Sequence, residues 1–447
     1  MDLLAALTER TPAGIAATIG QLVRSGDLPV GMRLPTVREV AASLQVSPGT
    51  VSAAWHALSD AGLVRSRGRA GTFVLAQTTT WLPPRYRDLA SGAQVPYRLD
   101  LSSGTPDPQL LPALGPAFAA LARRTAGATT SSYLGPPVLP PLEARLRAAW
   151  PFAPEALTVV DGALDGMSRT LDVLVGLGSR VAIEDPCFPP LLDLLDSLGV
   201  QRVGVGLDEH GLLPDELWRA LDARCDVVVL QPRAQNPTGA SMTSERAREL
   251  ARVLRTHPHG ADVVVVEDDH SGAICQTADV SLGTYLAGRV VHVHSYSKSH
   301  GPDLRIAAVG GPARVLERVV ARRMLGPGWT SRMLQSVLLE LLTDRTTQQQ
   351  VSGARDAYRR RQREVARAVE ASGGRLRRGD GLNMWLPVAD ERAALVSLAA
   401  QGMRAAPGSP FRVDAPRPGE AHLRISVGSV RDAFDALGSA LAAAAQA

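Results

Sequence analysis

The chain of 447 residues is nearly devoid of lysine. Lysine and arginine together number 48, and Lys298 is the single lysine, so the other 47 are arginines. It also has no apolar run long enough to span a bilayer. Its first residues, MDLLAALTER, lack the basic-then-apolar order of a secretory signal. The three cysteines, Cys187, Cys225 and Cys275, are scattered and form no CxxC pair, which argues against a disulfide framework or a zinc knuckle. These absences lead us to expect a soluble cytoplasmic protein of two to three domains, at about 150 residues each.

The missing lysines fit a GC-rich coding bias that installs arginine wherever a generic cation serves. Arginine stays protonated, whereas a lysine amine can lose its proton and form a Schiff base. A solitary lysine is therefore a candidate for amine chemistry, with chance survival as the alternative. Its sequence context must decide.

Residues 1–75 read as one unit. Ile15, Ile19, Leu22 and Val23 recur at helical spacing, and Gly26–Gly31 breaks that helix. Val37, Val40, Ala41 and Leu44 give a second helix. Ser47 as N-cap with Pro48 at the first position opens a third, carrying Val51, Ala54, Trp55 and Leu58 and ending near Gly62. Residues 63–75 read as two short strands around a basic turn. Residues 76–98 have no period and hold three prolines, which predicts a linker. From about residue 99 onward, apolar runs at 157–160, 180–183, 226–230, 263–266, 290–294 and 305–309 alternate with helical patterns. That alternation predicts an α/β unit around a largely parallel sheet. A small C-terminal subdomain is expected over about 325–447. Residues 345–370, rich in arginine and glutamine, predict a long solvated helix. His292-x-His294 would place two imidazoles on one strand face. With no third ligand nearby in sequence, ordinary strand packing is the reading, and no metal site is expected.

Three helices and a basic hairpin make a winged helix-turn-helix. Gly31, Leu34, Pro35, Arg38, Ala41, Leu44, Val46, Ser47, Thr50, Val51, Leu58, Gly62 and Gly71-Thr-Phe73 resemble the GntR family of bacterial transcription regulators. The resemblance implies a third helix in the major groove of double-stranded operator DNA. Ser47, Thr50, Ser52 and His56 are the candidate contacts on that helix. Arg33, Arg38, Arg65, Arg67 and Arg69 would neutralise phosphates. Ala53 stands where relatives often carry a basic residue, which shifts readout toward His56 or the wing. A helix-turn-helix used only for protein contact is the alternative.

Lys298 sits in the run Ser295–Arg305, SYSKSHGPDLR, directly after a strand candidate. Condensation with pyridoxal phosphate needs such a lysine beside a cup for the phosphate. The run resembles the SxSK…R motif of fold-type I aminotransferases. Other elements follow in that family's order. Gln235–Gly239 resembles its NPTG element, implying Asn236 on the pyridine hydroxyl. Glu267-Asp-Asp-His270 resembles its EDDY, implying Asp268 on the ring nitrogen and His270 in place of a tyrosine. Asp185–Phe188 implies Phe188 stacked on the ring. Gly162, Ala163 and Leu164 open a helix whose amides would hold the phosphate together with Ser295, Ser297 and Arg305. Tyr133 resembles the tyrosine that reaches the phosphate of a neighbouring subunit, and Arg424 the arginine that grips a substrate carboxylate, with Gly104 beside the substrate.

Winged helix and aminotransferase-like domain together resemble the MocR/GabR subfamily of GntR regulators. This implies a head-to-tail homodimer that senses an amino compound or the cofactor itself. A working aminotransferase carrying a DNA-binding domain is the alternative. Two departures bear on activity. His270 brings a group that titrates near pH 6 to 7. The helix opening Gly-Ala-Leu-Asp-Gly puts Asp165 close to a phosphate unless it points away.

Overall fold

The computed structural model describes residues 3–7, 10–60, 63–66, 68, 71–75, 82–90, 97–124, 133, 135–414 and 419–447. It divides into two compact units, Met1–Pro83 and Pro84–Ala447.

In the first unit a short helix, Leu3–Ala6, precedes helices Pro12–Ser25, Val37–Leu44 and Pro48–Asp60. Local chemistry sets their ends. Thr11 caps the first long helix through Gly14 N, and Gly26 closes it in the left-handed conformation at φ +82°. Thr36 and Glu39 form a reciprocal capping box. Ile15, Ile19, Val40, Leu44, Val51, Ala54 and Leu58 converge in one buried core. Strands Val64–Ser66 and Thr72–Val74 pair antiparallel as the wing.

The expected linker is only partly irregular. Pro84–Ala90 is a helix. Arg85 ties it to the large domain, donating at 2.9 Å to Asp193 and 2.6 Å to Asp196. No apolar period announced this helix, because an ion pair rather than a hydrophobic face anchors it.

The second unit is built on an eight-stranded sheet. Its order is Ala156–Val160, Ala307–Gly311, Val290–Ser295, Val264–Asp269, Val227–Leu230, Arg180–Asp185, Gln201–Asp208 and Gly211–Leu212. Five neighbouring strands, from Val290–Ser295 to Gln201–Asp208, run parallel, and Ala307–Gly311 is antiparallel to both its neighbours. All six expected strands form. Gln201–Asp208, QRVGVGLD, was not anticipated, since two glycines interrupt its apolar residues. Helices cover both faces, so central strands are apolar on each side. One face holds Val264, Val266, Val291 and Val293 under helix Ala163–Leu174; the other holds Val265, Val228 and Val290.

A smaller sheet, Asn383–Pro387, His422–Ser426 and Ala406–Pro407, carries a second core with helices Glu391–Ala400 and Phe434–Ala445. Its core takes Leu101 from near the start of the unit. Helix Arg332–Thr343, by contrast, packs its Val337, Leu338 and Leu341 with the large-domain strands. The small core therefore does not begin at the expected residue 325. The 27-residue helix Arg345–Ala371 is not a solvated rod either. Val351, Ala354, Tyr358, Val365 and Val369 give it one buried face, hidden in sequence by the arginines of the opposite face.

Candidate cofactor pocket and DNA-binding face

Period-two alternation turns Asp268 away from Glu267 and Asp269. It lies on the face of Val264, Val266 and Val293, at the carboxyl ends of the parallel strands. Open α/β sheets bind ligands at those ends. Asp268 is buried, and Gln231 Nε2 donates to its Oδ2 at 2.8 Å. Its Oδ1 is buried without any hydrogen-bond partner among the described residues. Burial pushes the carboxyl up, opposed by His270 and the Gln231 hydrogen bond. An unpaired buried carboxylate oxygen costs about 1–3 kcal/mol or more unless something donates to it. A protonated ring nitrogen is such a donor.

Gln231 was missed by sequence reasoning. Its Oε1 accepts from Asn236 N at 2.7 Å while its Nε2 holds Asp268, so one amide sets both residues. Gln235 Nε2 donates to Glu184 and Pro186 O, and its Oε1 takes Thr238 N and Oγ1. Gly239 closes the turn at φ +74°, where a Cβ would stand 2.9 Å from the Gly379 Cα. Glu184 lies behind this lattice, and burial, with Asp268 adding to it, pushes its carboxyl up to about 8.

The Lys298 Nζ donates to the Gly104 carbonyl. Burial first, and the Arg424 guanidinium second, push the amine down to about 8, against the pull of Asp268. Arg424 is 4% exposed; its Nη2 donates to Ser102 O and its Nη1 to Asn236 Oδ1 at 3.4 Å. Its Nε, like Asn383 Oδ1, is buried without a partner among the described residues. Gly104 has no side chain because a Cβ would stand 3.1 Å from Arg424 Nη1. Lys298, Gly104, Asn236 and Arg424, scattered over more than 300 residues, thus meet in one place. Asn383 was not anticipated.

Gly162 caps helix Ala163–Leu174 without a side chain, leaving the first amides free for an anion. Its φ of +105° suits glycine, and a Cβ would stand 2.6 Å from Arg305 Nη2. Arg305 donates to Asp161 O at 2.9 Å and itself adopts φ +48°, a strained value for a side-chain-bearing residue. Ser295 is buried and Ser297 half-buried. Leu164 is 40% exposed. Asp165 does not face a phosphate as an unpaired charge: it accepts from Asp161 N at 3.1 Å and pairs with Arg169 at 2.9 Å. Phe188 is half-buried against the large-domain core. His270 bonds Ala234 O at 2.9 Å, and burial lowers its imidazole below the usual range, opposed by Asp268. Tyr133 is 83% exposed and lies edge-on to Trp329 at 6.0 Å.

In the winged unit, Ser47 is spent on capping. Its Oγ accepts from Thr50 N at 3.1 Å and pairs with Thr50 Oγ1 at 2.9 Å. Ala53 and His56 are exposed on the third helix, and Ser52 is half-buried. Arg33, Arg38 and Arg65 are exposed; the Arg33 side chain lies against Gly71, where a Cβ would stand 2.6 Å from Nε. Arg67 and Arg69 lie outside the described residues.

A three-helix unit with a two-stranded wing, followed by a lysine pocket on a mixed sheet, defines a DNA-binding regulator built on an aminotransferase scaffold. The family model for bacterial regulatory proteins of the gntR family matches residues 11–74, and that for aminotransferase class I and II matches 98–437. The vitamin B6 salvage pathway transcriptional repressor PtsJ of Salmonella typhimurium is 35% identical over 428 residues, 95% of each chain. The transcriptional regulator TauR of Rhodobacter capsulatus is 29% identical over 87% of each. The α-aminoadipate aminotransferase LysN of Thermus thermophilus, complexed with N-(5'-phosphopyridoxyl)-L-leucine, superposes with a TM-score of 0.71 at 22% identity, covering 86% of this chain and 96% of that one. The chain belongs to the MocR-type GntR transcription regulators, with a winged helix-turn-helix joined to a fold-type I aminotransferase domain. No helix among the described residues is long and apolar enough to cross a membrane.

Proposed function

We propose that this regulator binds pyridoxal 5'-phosphate at Lys298 and that occupancy of that pocket sets its affinity for operator DNA. The observation that carries the reading is the buried Asp268 Oδ1 without a hydrogen-bond partner among the described residues; the lysine whose amine burial pushes down to about 8 and the glycine-capped helix start support it. When bound, the cofactor supplies an aldehyde for an amine and a ring that withdraws electrons. The chain's own groups do the rest. Lys298 offers an amine that burial makes easier to deprotonate. Asp268 holds a proton at the ring nitrogen, and Asn236 donates to the ring hydroxyl. The amides of Ala163 and Leu164, with Ser295, Ser297 and Arg305, hold the phosphate. Phe188 covers the ring, and Arg424 receives a carboxylate if the effector has one.

The effector we favour is the cofactor itself, because the relative that is 35% identical is named for vitamin B6 salvage. An amino compound at Arg424 is the second reading, supported by that buried guanidinium with its free Nε. An effector shifts DNA affinity only by its differential affinity for the two states. A head-to-tail homodimer completes the proposal, supported by Tyr133, which is exposed in its own chain, as a residue serving a neighbour would be.

The test is DNA binding by the purified chain, titrated with pyridoxal phosphate alone and then with a panel of amino acids. A shift with cofactor alone supports the first effector, and a shift that needs an amino acid supports the second. DNA binding indifferent to both overturns the proposal. Steady-state transamination near 1 per second or faster would instead show a working enzyme.

A further inference from the structure

On the sheet face opposite Asp268, the structure assembles a group that the sequence order conceals. Glu267 and Asp269 alternate with Asp268, and their register partners on the next strand are His292 and His294. Asp279 joins them from the following loop. One ligand atom from each of Asp269, Asp279, His292 and His294 lies within 4.8 Å of the other three. The third and fourth ligands missing from the local sequence are thus supplied by a neighbouring strand and a loop.

We propose that these four residues bind one divalent transition-metal ion. Two imidazole nitrogens and two carboxylate oxygens suit Zn²⁺ or Co²⁺ better than the all-oxygen shells of Ca²⁺ or Mg²⁺. His292 is fully buried, and Glu267 Oε2 holds its Nδ1 at 2.7 Å. That carboxylate is itself fixed by Ser281 Oγ at 2.6 Å and Leu282 N at 2.7 Å. A carboxylate on one ring nitrogen sets the tautomer and directs the other lone pair to a metal. The other nitrogen, Nε2, has no partner among the described residues, and neither has Asp279 Oδ1. His294 Nδ1 meets Asp269 Oδ2 at 2.7 Å, and Arg233 Nη2 donates to the same oxygen at 2.7 Å, so a metal there would take the His294 and Asp269 atoms and displace that Arg233 contact. The Trp150 ring closes the side of the group, edge-on to His292 at 5.4 Å.

The charge of the group leaves room for a cation. Glu267, Asp269 and Asp279 bring three negative charges, and Arg233, which contacts Asp269 and Asp279, brings one positive. With neutral imidazoles the group carries a net charge of −2. One divalent cation, or two imidazolium protons, balances it.

The experiment uses the untagged full-length chain, stripped with chelator and titrated with ZnCl₂ against a chromophoric competitor, with bound metal measured by mass spectrometry. One zinc per chain is expected, with four-coordinate visible bands when Co²⁺ replaces it. D279A and H292Q abolish that stoichiometric binding. E267Q, at a carboxylate that holds the second nitrogen of His292 and is not itself among the four ligands, weakens it by about 10–100-fold. The control H210A, at an exposed histidine, leaves it unchanged. Asp279 is 25% exposed, so D279A keeps its fold even if H292Q does not. Lys298→Ala leaves zinc binding intact, which separates this proposal from the cofactor assignment. Failure to bind zinc, or equal binding by wild type, D279A and E267Q, overturns the site and leaves a proton-balanced ion-pair network.

Discussion

Lys298 differs from an exposed lysine because burial and Arg424 disfavour its charge, bringing it down to about 8. Only the neutral amine attacks an aldehyde, so covalent uptake of pyridoxal phosphate should rise about tenfold per pH unit below 8 and flatten above it. Stopped-flow absorbance between pH 6 and 10 checks this; a rate still climbing at pH 10 contradicts it. The sign for stability is the same. Between about 8 and the ordinary value of 10.5 the unfolded lysine keeps a proton that the folded one has lost. The apoprotein therefore gains stability with rising pH across that window, and Lys298→Met removes the gain. Asp268→Asn should weaken cofactor binding by roughly 10–100-fold, the worth of a charge-assisted hydrogen bond. Equilibrium dialysis reads that loss, and an unchanged affinity would remove Asp268 from the site.

Among the elements, helix starts bear most directly on the proposed function. Gly162 leaves the first amides of Ala163–Leu174 open at a backbone angle that a side chain resists. Gly162→Ala therefore meets both strain and the Arg305 guanidinium. It should lower stability by about 1–3 kcal/mol and weaken phosphate binding more than it perturbs the sheet, as seen by thermal melts with and without inorganic phosphate. In the winged unit, Thr36→Ala breaks the capping box and should cost about 1 kcal/mol of that unit's stability. Much of this level was legible in advance. Caps, prolines and apolar periods are local, so all three main helices of the winged unit and six of the eight strands in the large sheet followed from them. What escaped was held by distant partners. Pro84–Ala90 depends on Asp193 and Asp196 over a hundred residues away, and Gln231 means nothing until the fold sets Asn236 and Asp268 beside it.

At the scale of the whole molecule, the winged helix-turn-helix and the aminotransferase-type domain lie in separate compact units of one chain. The basic face of the first predicts salt-dependent DNA affinity. Arg38→Ala should weaken binding about equally on all sequences and lower the salt slope by about 1. Fluorescence anisotropy at several salt concentrations measures both, and a loss confined to one sequence would make Arg38 a base-reading residue. The sequence by itself determined the two-unit plan, the family and the candidacy of Lys298, because motifs, caps and periodicities are written in neighbouring residues. Only the tertiary structure decided which residues share a site. It paired Asp165 with Arg169, lowered the His270 imidazole by burial, and left Asp268 Oδ1 buried without a hydrogen-bond partner among the described residues. It also turned His292 and His294 from strand packing into a candidate metal site with Asp269 and Asp279. The reason is geometric: strand register and sheet order set those distances, and neither is encoded by spacing along one chain.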